Sequence, residues 1–429
     1  MSEFPDGWAS ASFLEVFDVQ GGGQPPKSTF VYEPREGFVQ LLQIRDFGAR
    51  PVPTYIQDTE NLKKCRASDI LIARYGASLG RILTGLEGAY NVAMAKVAIP
   101  DEIDRRFAFN LLNSEMFQAP LRLVSRSAQN GFNKEDLAGF QIAIAPLNEQ
   151  KRIADKLDAV LARVDACRDR LDRIPTILKR FRQSVLAAAT SGKLTEDWRS
   201  GNPIENTWSS QNLGDYVENC DGKRVPISEI LRAARHGNYP YYGASGVIDT
   251  IDGYTHDGKY LLIGEDGANL FTRSKPIAFI ATGKIWVNNH AHVLRCRAGA
   301  PEEFLGYFIN SIDLAPYVSG SAQPKLNQKN MNSIIVPVPP VEEQTEIVRR
   351  VESLFACADR LEARYTAARA QVEKLTPATL AKAFRGELVP QDPNDEPASV
   401  LLERIRTKHN DQSVNKPKRG RQSPQTKIA

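Results

Sequence analysis

The sequence contains little cysteine, and none of it is arranged as a metal site or a disulfide framework. The five cysteines are Cys65, Cys167, Cys220, Cys296 and Cys357, with no Cys-x-x-Cys pair among them, and this usage is typical of a reducing compartment. No run approaches the roughly 18 apolar residues of a membrane-spanning helix. The opening MSEFPDGW has neither the basic start nor the apolar run of a secretory signal. We therefore expect a cytoplasmic protein.

Signatures of catalysis are also absent from the sequence. It has no Gly-x-Ser-x-Gly elbow, no His-Glu-x-x-His, no phosphoryl-transfer set, and no tetrapeptide of the kind that amino-methyltransferases use on a flipped base. GGGQPPKST (21–29) is interpreted as a turn, because Pro26 stands where a phosphate-binding loop needs glycine. His290 and His292 alternate on a predicted strand without further ligands, so we expect structural or solvent-facing roles. We predict no catalytic, cofactor-binding or metal-binding residues.

Charge is nearly balanced: the sequence has 55 Lys and Arg residues and 51 Asp and Glu residues, so the net charge is +4. The segment 408–429 holds six of the basic residues and one aspartate, so the rest of the chain is close to neutral. Bulk charge therefore permits a nucleic-acid partner without indicating one. A length of 429 residues is too great for one core and favours two to three domains.

The most informative feature of the chain is an internal repeat. Residues 127–194 match residues 321–388 at a constant offset of 194, without gaps. A period near half the chain length indicates two copies of one unit. The regions before each segment match more loosely, with Trp8 over Trp208. The clearest matches are PLNEQKRI (146–153) with PVEEQTEI (340–347), SVLAAATSGKL (184–194) with ATLAKAFRGEL (378–388), and DILIARYGASL (69–79) with YLLIGEDGANL (260–270).

Each copy carries apolar residues in alternating steps of four and three, which predicts a long helix with one apolar stripe. We expect the two helices to pack on each other, with Cys167 buried in the stripe as a small hydrophobe. Pro175 predicts a kink or break near Ile174, and Pro377 is a candidate break in the second helix. The stripes comprise Ile153, Leu157, Val160, Val164, Cys167, Leu171, Ile174, Leu178, Phe181 and Val185, and Ile347, Val351, Leu354, Ala358, Leu361, Tyr365, Ala368, Val372 and Leu375.

These patterns predict a mixed α/β (α+β) protein with two globular domains, the first head and the second head, separated by a long antiparallel two-helix coiled coil in a pseudo-twofold repeat. Short strand-like runs alternate with turn clusters in both heads. The predicted domains are the first head at 1–145, the first spacer helix at 146–200, the second head at 201–337, the second spacer helix at 338–390, a loop and short helix at 391–407, and a disordered basic tail at 408–429.

Two polar loops enter the spacer helices at equivalent repeat positions. SRSAQNGFNK (125–134) and SGSAQPKLNQK (319–329) combine small hydroxyls, amides and cations, the groups that bridge phosphates and contact base edges. A purely structural role as solvated helix-entry loops is equally compatible with their composition. YPYYGASG (239–246) is either a packed strand end or a groove-facing loop.

The chain resembles the specificity subunit of Type I restriction–modification systems over about its first 407 residues. The strongest single feature is the glutamine-containing helix start, repeated at half-length. The segments that carry the resemblance are FPDGW (4–8), PLNEQKRI, PPVEEQTEI, SGKLT, RGELV, YPYYGASG, LLIGEDGANL (261–270) and EPASVLLERIR (396–406).

The resemblance implies that each head is a target-recognition domain for one half of a split DNA site and that the helices set the gap. It implies double-stranded DNA, two modification (methyltransferase) subunits and restriction (endonuclease/translocase) subunits as partners, and no membrane. Methylation and cleavage then belong to those subunits, and S-adenosylmethionine, ATP and magnesium are expected only there. Base contacts vary within the family, so no fixed contact list carries over.

Donor-rich side chains in the two loops are our main candidates for DNA contact, and five other cations are weaker ones. Two alternatives remain open: a DNA-modifying enzyme with an unrecognised site, and a coiled-coil protein scaffold. Val348, Phe355 and Leu380 lie outside the stripes, where they contact either a modification subunit or the adjoining head. The candidates are Arg126, Ser127, Gln129, Asn130, Lys134, Ser321, Gln323, Lys325, Asn327 and Lys329, and more weakly Arg74, Arg81, Lys223, Arg224 and Arg273.

Overall fold

The computed structural model describes residues 4–127, 131–202, 208–320 and 323–414. It divides into two compact units, one formed by Met1–Arg170 with Ala368–Ala429 and the other by Leu171–Ala367. Each unit contains one head together with parts of two long helices. No helix in the described ranges is long and apolar enough to cross a membrane.

The first unit contains the first head, which is built on two four-stranded sheets. In the first sheet the strands run antiparallel in the order β2-β9-β6-β7, and in the second the order is β4-β3-β8-β5 with β3 and β8 parallel. The elements up to the first long helix are β1 (Ala9–Ser12), α1 (Phe13–Val16), β2 (Asp18–Gly21), β3 (Phe38–Leu42), β4 (Tyr55–Gln57), β5 (Lys64–Cys65), β6 (Ile70–Ala73), β7 (Ile82–Leu83), β8 (Gly88–Tyr90), β9 (Met94–Ala98), α2 (Arg105–Asn113), α3 (Glu115–Ser127), β10 (Gln141–Ile144) and α4 (Leu147–Leu171).

The second unit contains the second head, which is built on one six-stranded sheet in the order β12-β17-β15-β16-β13-β14. Only β13 and β16 pair in parallel within it. The elements are α5 (Ile174–Thr190), α6 (Glu196–Gly201), β11 (Ser209–Asn212), α7 (Leu213–Tyr216), β12 (Val217–Asn219), α8 (Glu229–Ala233), β13 (Tyr239–Gly243), β14 (Gly246–Ile251), β15 (His256–Gly264), α9 (Asn269–Thr272), β16 (Ala278–Val287), β17 (Ala291–Cys296), α10 (Glu302–Ser311), α11 (Gln328–Asn332), β18 (Ile335–Val338) and α12 (Val341–Phe384), which ends in the first unit.

A two-stranded antiparallel pair precedes the long helix in both units. Strand β1 pairs with β10 in the first, and β11 pairs with β18 in the second, with Ala9 opposite Ile144 and Ser209 opposite Val338. These four strands occupy matching positions of the sequence repeat. The predicted two-copy organisation is therefore present in the backbone, although the larger sheets of the two heads differ.

The long helices run antiparallel where they meet within a unit. In the first unit Arg168 contacts Glu373, and in the second Arg182 lies 2.7 Å from both Asp359 and Glu362. Some residues of the apolar stripes are buried in hydrophobic cores of the two units. Ile153 and Leu157 belong to the core of the first head, and Ile347 packs with Val185 in the second unit.

The predicted break in the first long helix is confirmed. Helix α4 ends at Leu171 and α5 begins at Ile174, which places Pro175 in the first turn of α5. A proline is tolerated there because the first turn has no backbone acceptor for its missing N–H.

Two predictions about the helices are wrong. Helix α12 continues through Pro377, since the residues that follow it, including Leu380 and Phe384, are buried in the first head's core and outweigh one missing backbone bond. Cys167 is exposed, and Leu361 is 47% exposed, because two helices alone cover only the line along which they touch.

The three apolar residues outside the stripes contact the adjoining heads. Phe355 packs edge-on against Tyr307 at 6.1 Å, and Val348 belongs to the same cluster. Leu380 is 5% exposed within the first head's core. Docking of a modification subunit is therefore not needed to explain them.

The last described helix, α13 (Ala398–Val414), completes the first head. Its Leu401 and Ile405 are buried in the core that contains Phe13, and the Ala398 amide donates to the Gly7 carbonyl at 2.8 Å. The helix extends seven residues beyond the predicted end at 407. Residues 415–429 of the predicted tail lie outside the described residues.

A buried glutamate lies in the first turn of the long helix in each unit. In the second unit, Glu343 accepts hydrogen bonds from Thr195 Oγ1 at 2.7 Å and Trp208 Nε1 at 3.1 Å, and pairs with Arg199. Arg199 also donates to the carbonyl of Gly192, just beyond the end of α5. One carboxylate therefore connects the start of α12, the end of α5 and the second head.

The equivalent glutamate of the first unit has a neutral partner. Glu149 accepts from Gln391 Nε2 at 3.2 Å, and Gln391 also donates to the Gly386 carbonyl beyond the end of α12. Burial raises the pKa of Glu149, and the nearby Trp8 indole and the Gln391 amide offset this only in part. The two units thus share the arrangement, but the side chain that binds the glutamate is a charged arginine in the second unit and a neutral glutamine in the first.

The glutamine that follows each glutamate fixes the helix start to the head. Gln150 donates to the Ala145 carbonyl at 2.8 Å and accepts from the Asp104 amide at 2.9 Å. Gln344 donates to the Pro339 carbonyl at 2.9 Å and accepts from the Tyr216 hydroxyl at 2.7 Å. These contacts explain why the repeated helix start contains Glu-Gln.

We predict opposite outcomes for the two glutamates. A raised folded-state pKa favours the protonated carboxyl, so the contribution of Glu149 is present below its ordinary pKa of 4.5 and is lost as pH rises through the folded value. Glu149→Gln should remove this pH dependence and not lower stability at neutral pH. Glu343→Gln should cost about 3 kcal/mol, because Arg199 loses its carboxylate. Urea unfolding of both variants between pH 4 and 8 tests this, and equal losses at neutral pH would contradict it.

Candidate nucleic-acid interface

Several loops of the second head meet at one end of strand β15. The Leu326 amide donates to the Glu265 carbonyl at 2.7 Å, the Gly267 amide to the Pro324 carbonyl at 3.0 Å, and the Glu265 amide to the His290 carbonyl at 2.9 Å. We call residues 243–246, 264–267, 288–290 and 323–327 the polar end of the second head.

Close backbone approach explains a glycine at the polar end. A Cβ built on Gly264 would lie 2.5 Å from the Ala244 carbonyl oxygen, so a side chain there would separate the β13–β14 turn from strand β15. The polar end therefore brings together parts of three segments noted in the sequence, YPYYGASG, LLIGEDGANL and SGSAQPKLNQK. Sequence spacing alone gave no indication of this meeting.

Glu265 is the centre of the ion pairs at the polar end. Its Oε2 lies 2.7 Å from Arg224, and its Oε1 lies 3.1 Å from Lys325 Nζ. Burial alone would raise the pKa of Glu265, but the hydrogen bond from Arg224 and the neighbouring cations hold it below the usual 4.5. The residue is 8% exposed and stays charged because two cations surround it.

A second set of contacts returns to the same loop. Arg224 lies 3.2 Å from Asp221, and Asp221 lies 2.7 Å from His292 Nδ1. His292 Nε2 lies 2.9 Å from the Leu326 carbonyl oxygen. Lys325, Glu265, Arg224, Asp221 and His292 thus form a ring of side chains that starts and ends on the 323–327 loop.

The ring positions the loop candidates of the second head. Lys325 is half-exposed beside Glu265, while Gln323 and Lys329 are exposed. Asn327 caps α11 by accepting from the Asn330 amide at 2.9 Å. Ser321 lies outside the described residues.

In two weaker candidates of this head, the guanidinium groups bind partners within the protein. Arg224 contacts Glu265 and Asp221. Arg273 donates to the Asn310 carbonyl at 3.2 Å near the end of α10, and burial lowers the pKa of its guanidinium. Lys223, next to Arg224, is exposed.

The first head has an equivalent arrangement of opposite charge. Arg74 stands where the repeat places Glu265, and its guanidinium donates to the Phe132 carbonyl and to Asn133 Oδ1, each at 3.1 Å. Phe132 and Asn133 correspond to Leu326 and Asn327 at the repeat offset. In both heads, therefore, the residue after the central strand contacts the same part of the loop.

The remaining candidates of the first head are less clustered. Arg81 is exposed and donates to the Phe47 carbonyl at 3.0 Å, and Lys134 pairs with Asp18. The side chains of Arg126 and Ser127 lie outside the described residues, as do Gln129 and Asn130. Among these candidates, the structure therefore places Arg74 beside the described part of this loop, 131–134, and Lys134 within it.

The glycine-rich segment at 21–29 also reaches this loop region. The amides of Gly22 and Gly23 donate to the carbonyls of Met94 and Tyr90 at 3.0 and 3.1 Å, which ties the start of this segment to the first head's sheet. A Cβ on Gly21 would lie 2.9 Å from the Arg74 guanidinium. The sequence gave no indication of this contact with Arg74.

His290 of the polar end and His292 of the adjoining strand β17 differ in exposure. The side chain of His292 is 1% exposed, whereas that of His290 is 47% exposed, with Nδ1 at 2.7 Å from Asp266 Oδ2. Within the described residues, no group of three or more His, Cys, Asp or Glu side chains could hold a metal ion. The sequence had given both histidines the same interpretation.

Known proteins are similar to this chain in sequence and in fold. The family model described as the Type I restriction modification DNA specificity domain matches residues 5–176 and 205–368. The chain belongs to this family. It is 30% identical to the EcoKI specificity subunit of Escherichia coli (strain K12) over 460 residues, covering 94% of this chain and 96% of that protein. It is 35% identical to the StySPI specificity subunit of Salmonella potsdam over 452 residues, with the same coverage of both chains.

Two solved structures have a similar fold. The HsdS subunit from Thermoanaerobacter tengcongensis matches with a TM-score of 0.60 at 20% identity, over 90% of this chain and 98% of that one. A chain from a study of complex assembly and conformational transition in the type I R-M system matches with a TM-score of 0.68 at 20% identity, over 90% of this chain and 100% of that one.

The ring of this specificity subunit predicts unequal effects of removing its two cations. Arg224→Ala leaves the buried carboxylates of Glu265 and Asp221 without their shared cation and should cost about 3 kcal/mol in the free energy of unfolding. Lys325→Ala removes a half-exposed partner and should cost less than about 1 kcal/mol. Urea unfolding measures both, and similar losses would show that the ring is not centred on Arg224.

Proposed function

We propose that this chain is the non-catalytic DNA-recognition subunit of a Type I restriction–modification complex, in which each head reads one half of a split target. The observation that carries the proposal is the repeated pair of polar loops, each held against the end of its head's central strand. Family membership supplies the DNA target.

The chemistry of the loops suits duplex DNA. Lys325 and Lys223 are exposed cations able to contact phosphate, and the Gln323 amide offers both a donor and an acceptor to base edges. Holding the loop on buried ion pairs reduces the conformational entropy lost on binding. The heads differ in sheet structure and loop chemistry, so the two half-sites are expected to differ.

Methyl transfer and cleavage are assigned in this proposal to two modification subunits and to restriction subunits. S-adenosylmethionine, ATP and magnesium then bind in those partners. The purified chain with S-adenosylmethionine and DNA should transfer no methyl group, and transfer without partners would favour the alternative of an enzyme. A chain that joins a complex without affecting DNA binding would favour the scaffold alternative.

Phosphate contact by the second loop predicts a salt-dependent defect. In the complex with the modification subunit, Lys325→Ala should weaken binding to all sequences and lower the slope of log affinity against log salt by about 1. Lys259→Ala is the matched control, because Lys259 is 44% exposed and paired with Glu303 near the other end of β15. An unchanged slope would leave the loop with a structural role only.

The helices are proposed to set the gap between the half-sites. Lengthening both long helices by seven residues keeps the stripe in register and adds roughly 10 Å. At roughly 3.4 Å per base pair, the gap should widen by up to about three base pairs, or activity should be lost if the added twist misaligns the heads. Methylation mapping measures the gap. The control is exchange of one head, which should change the sequence of one half-site only. A change in both half-sites would contradict the model.

A further inference from the structure

One half-exposed histidine at the polar end has a short hydrogen-bond contact to a neighbouring carboxylate. His290 Nδ1 lies 2.7 Å from Asp266 Oδ2, and the His290 amide donates to Asn288 Oδ1 at 2.8 Å. The Asp266 side chain is 16% exposed, and Asp266 forms a backbone bridge with Lys325. The imidazole is therefore held at Nδ1, while about half of the side chain faces solvent.

Stability does not account for this arrangement. A half-exposed hydrogen bond between two side chains contributes little to folding, typically about 1 kcal/mol. The other two histidines of the sheet are buried and contact protein on both ring nitrogens, His256 at Thr255 and Cys220 and His292 at Asp221 and Leu326. For His290, contacts are recorded for Nδ1 alone within the described residues.

We infer that His290 is a specificity-determining residue that reads a base edge through Nε2, with Asp266 as its positioning residue. The inference rests on the proposed function and adds a residue to it. Lys325, whose backbone pairs with Asp266, is a DNA-contact candidate at the same end of the head.

The partner of Nδ1 decides what Nε2 can recognise. In the neutral imidazole, a carboxylate at Nδ1 keeps the proton on that nitrogen, and Nε2 is then a hydrogen-bond acceptor. In the major groove the complementary groups are the amino groups of adenine N6 and cytosine N4. The second head is therefore assigned a base with a major-groove amino group at one position of its half-site.

The test uses the complete chain assembled with its modification subunit. Methylation is mapped across a genome, and competition binding uses duplexes that carry each base in turn at every target position. His290→Ala should relax one position in one half-site, with discrimination falling roughly tenfold or more. The other half-site should keep its sequence.

Asp266 is tested through its effect on the same position. Asp266→Ala should weaken discrimination there, because the imidazole loses its orientation, whereas Asp266→Asn should retain most of it, since the amide oxygen still accepts from Nδ1. A purely structural role would instead lower the unfolding temperature of both variants and leave the sequence preference unchanged. His236→Ala is the control, because His236 is an exposed histidine that precedes β13 at the end remote from the turn.

Each outcome has a separate meaning. If the wild-type complex methylates a split target and His290→Ala leaves every position unchanged, the inference is wrong and the proposed function stands. Relaxation in both half-sites, or equally with His236→Ala, also overturns the inference. If the wild-type complex methylates no defined sequence, the proposed function itself fails.

Discussion

The contact between a buried glutamate and the far end of the opposite long helix is the constraint on which the rest of the molecule depends. Glu343 joins the start of α12 to Arg199 beyond α5, and Glu149 joins the start of α4 to Gln391 beyond α12. Because each contact pairs a start with an end, it specifies both direction and register. A shift of one heptad would leave a carboxylate buried without a partner, which costs several kcal/mol.

The two heads retain a backbone arrangement while changing its chemistry. Glu265 and Arg74 occupy matching positions and hold matching parts of the loop, one within a ring of ion pairs and the other by donating to a carbonyl and an amide. The geometry of the loop is thus separable from the charge that maintains it. A recognition surface can change its charge under these conditions without losing the position of its loop.

The sequence predicted what depends on local periodicity and failed where distant segments decide. The repeat, the two long helices and the break before Ile174 follow from spacing and proline chemistry. The continuity of α12 through Pro377 depends on core contacts of Leu380 and Phe384, and the exposure of Cys167 depends on how far the heads extend along the helices. Most candidate residues were chosen for their chemistry, yet Arg224 and Arg273 have interior partners that only the folded chain brings together. His290 and His292 looked alike for the same reason.

The packing of α13 on the first head bears on the order of folding during synthesis. Leu401 and Ile405 belong to the same core as Phe13, so a ribosome must translate as far as residue 405 before the first head has all its core residues. The second unit, Leu171–Ala367, is one continuous stretch and is complete earlier. Domains are generally expected to fold from the N-terminus onward; here the second unit has all its residues before the first head has received α13.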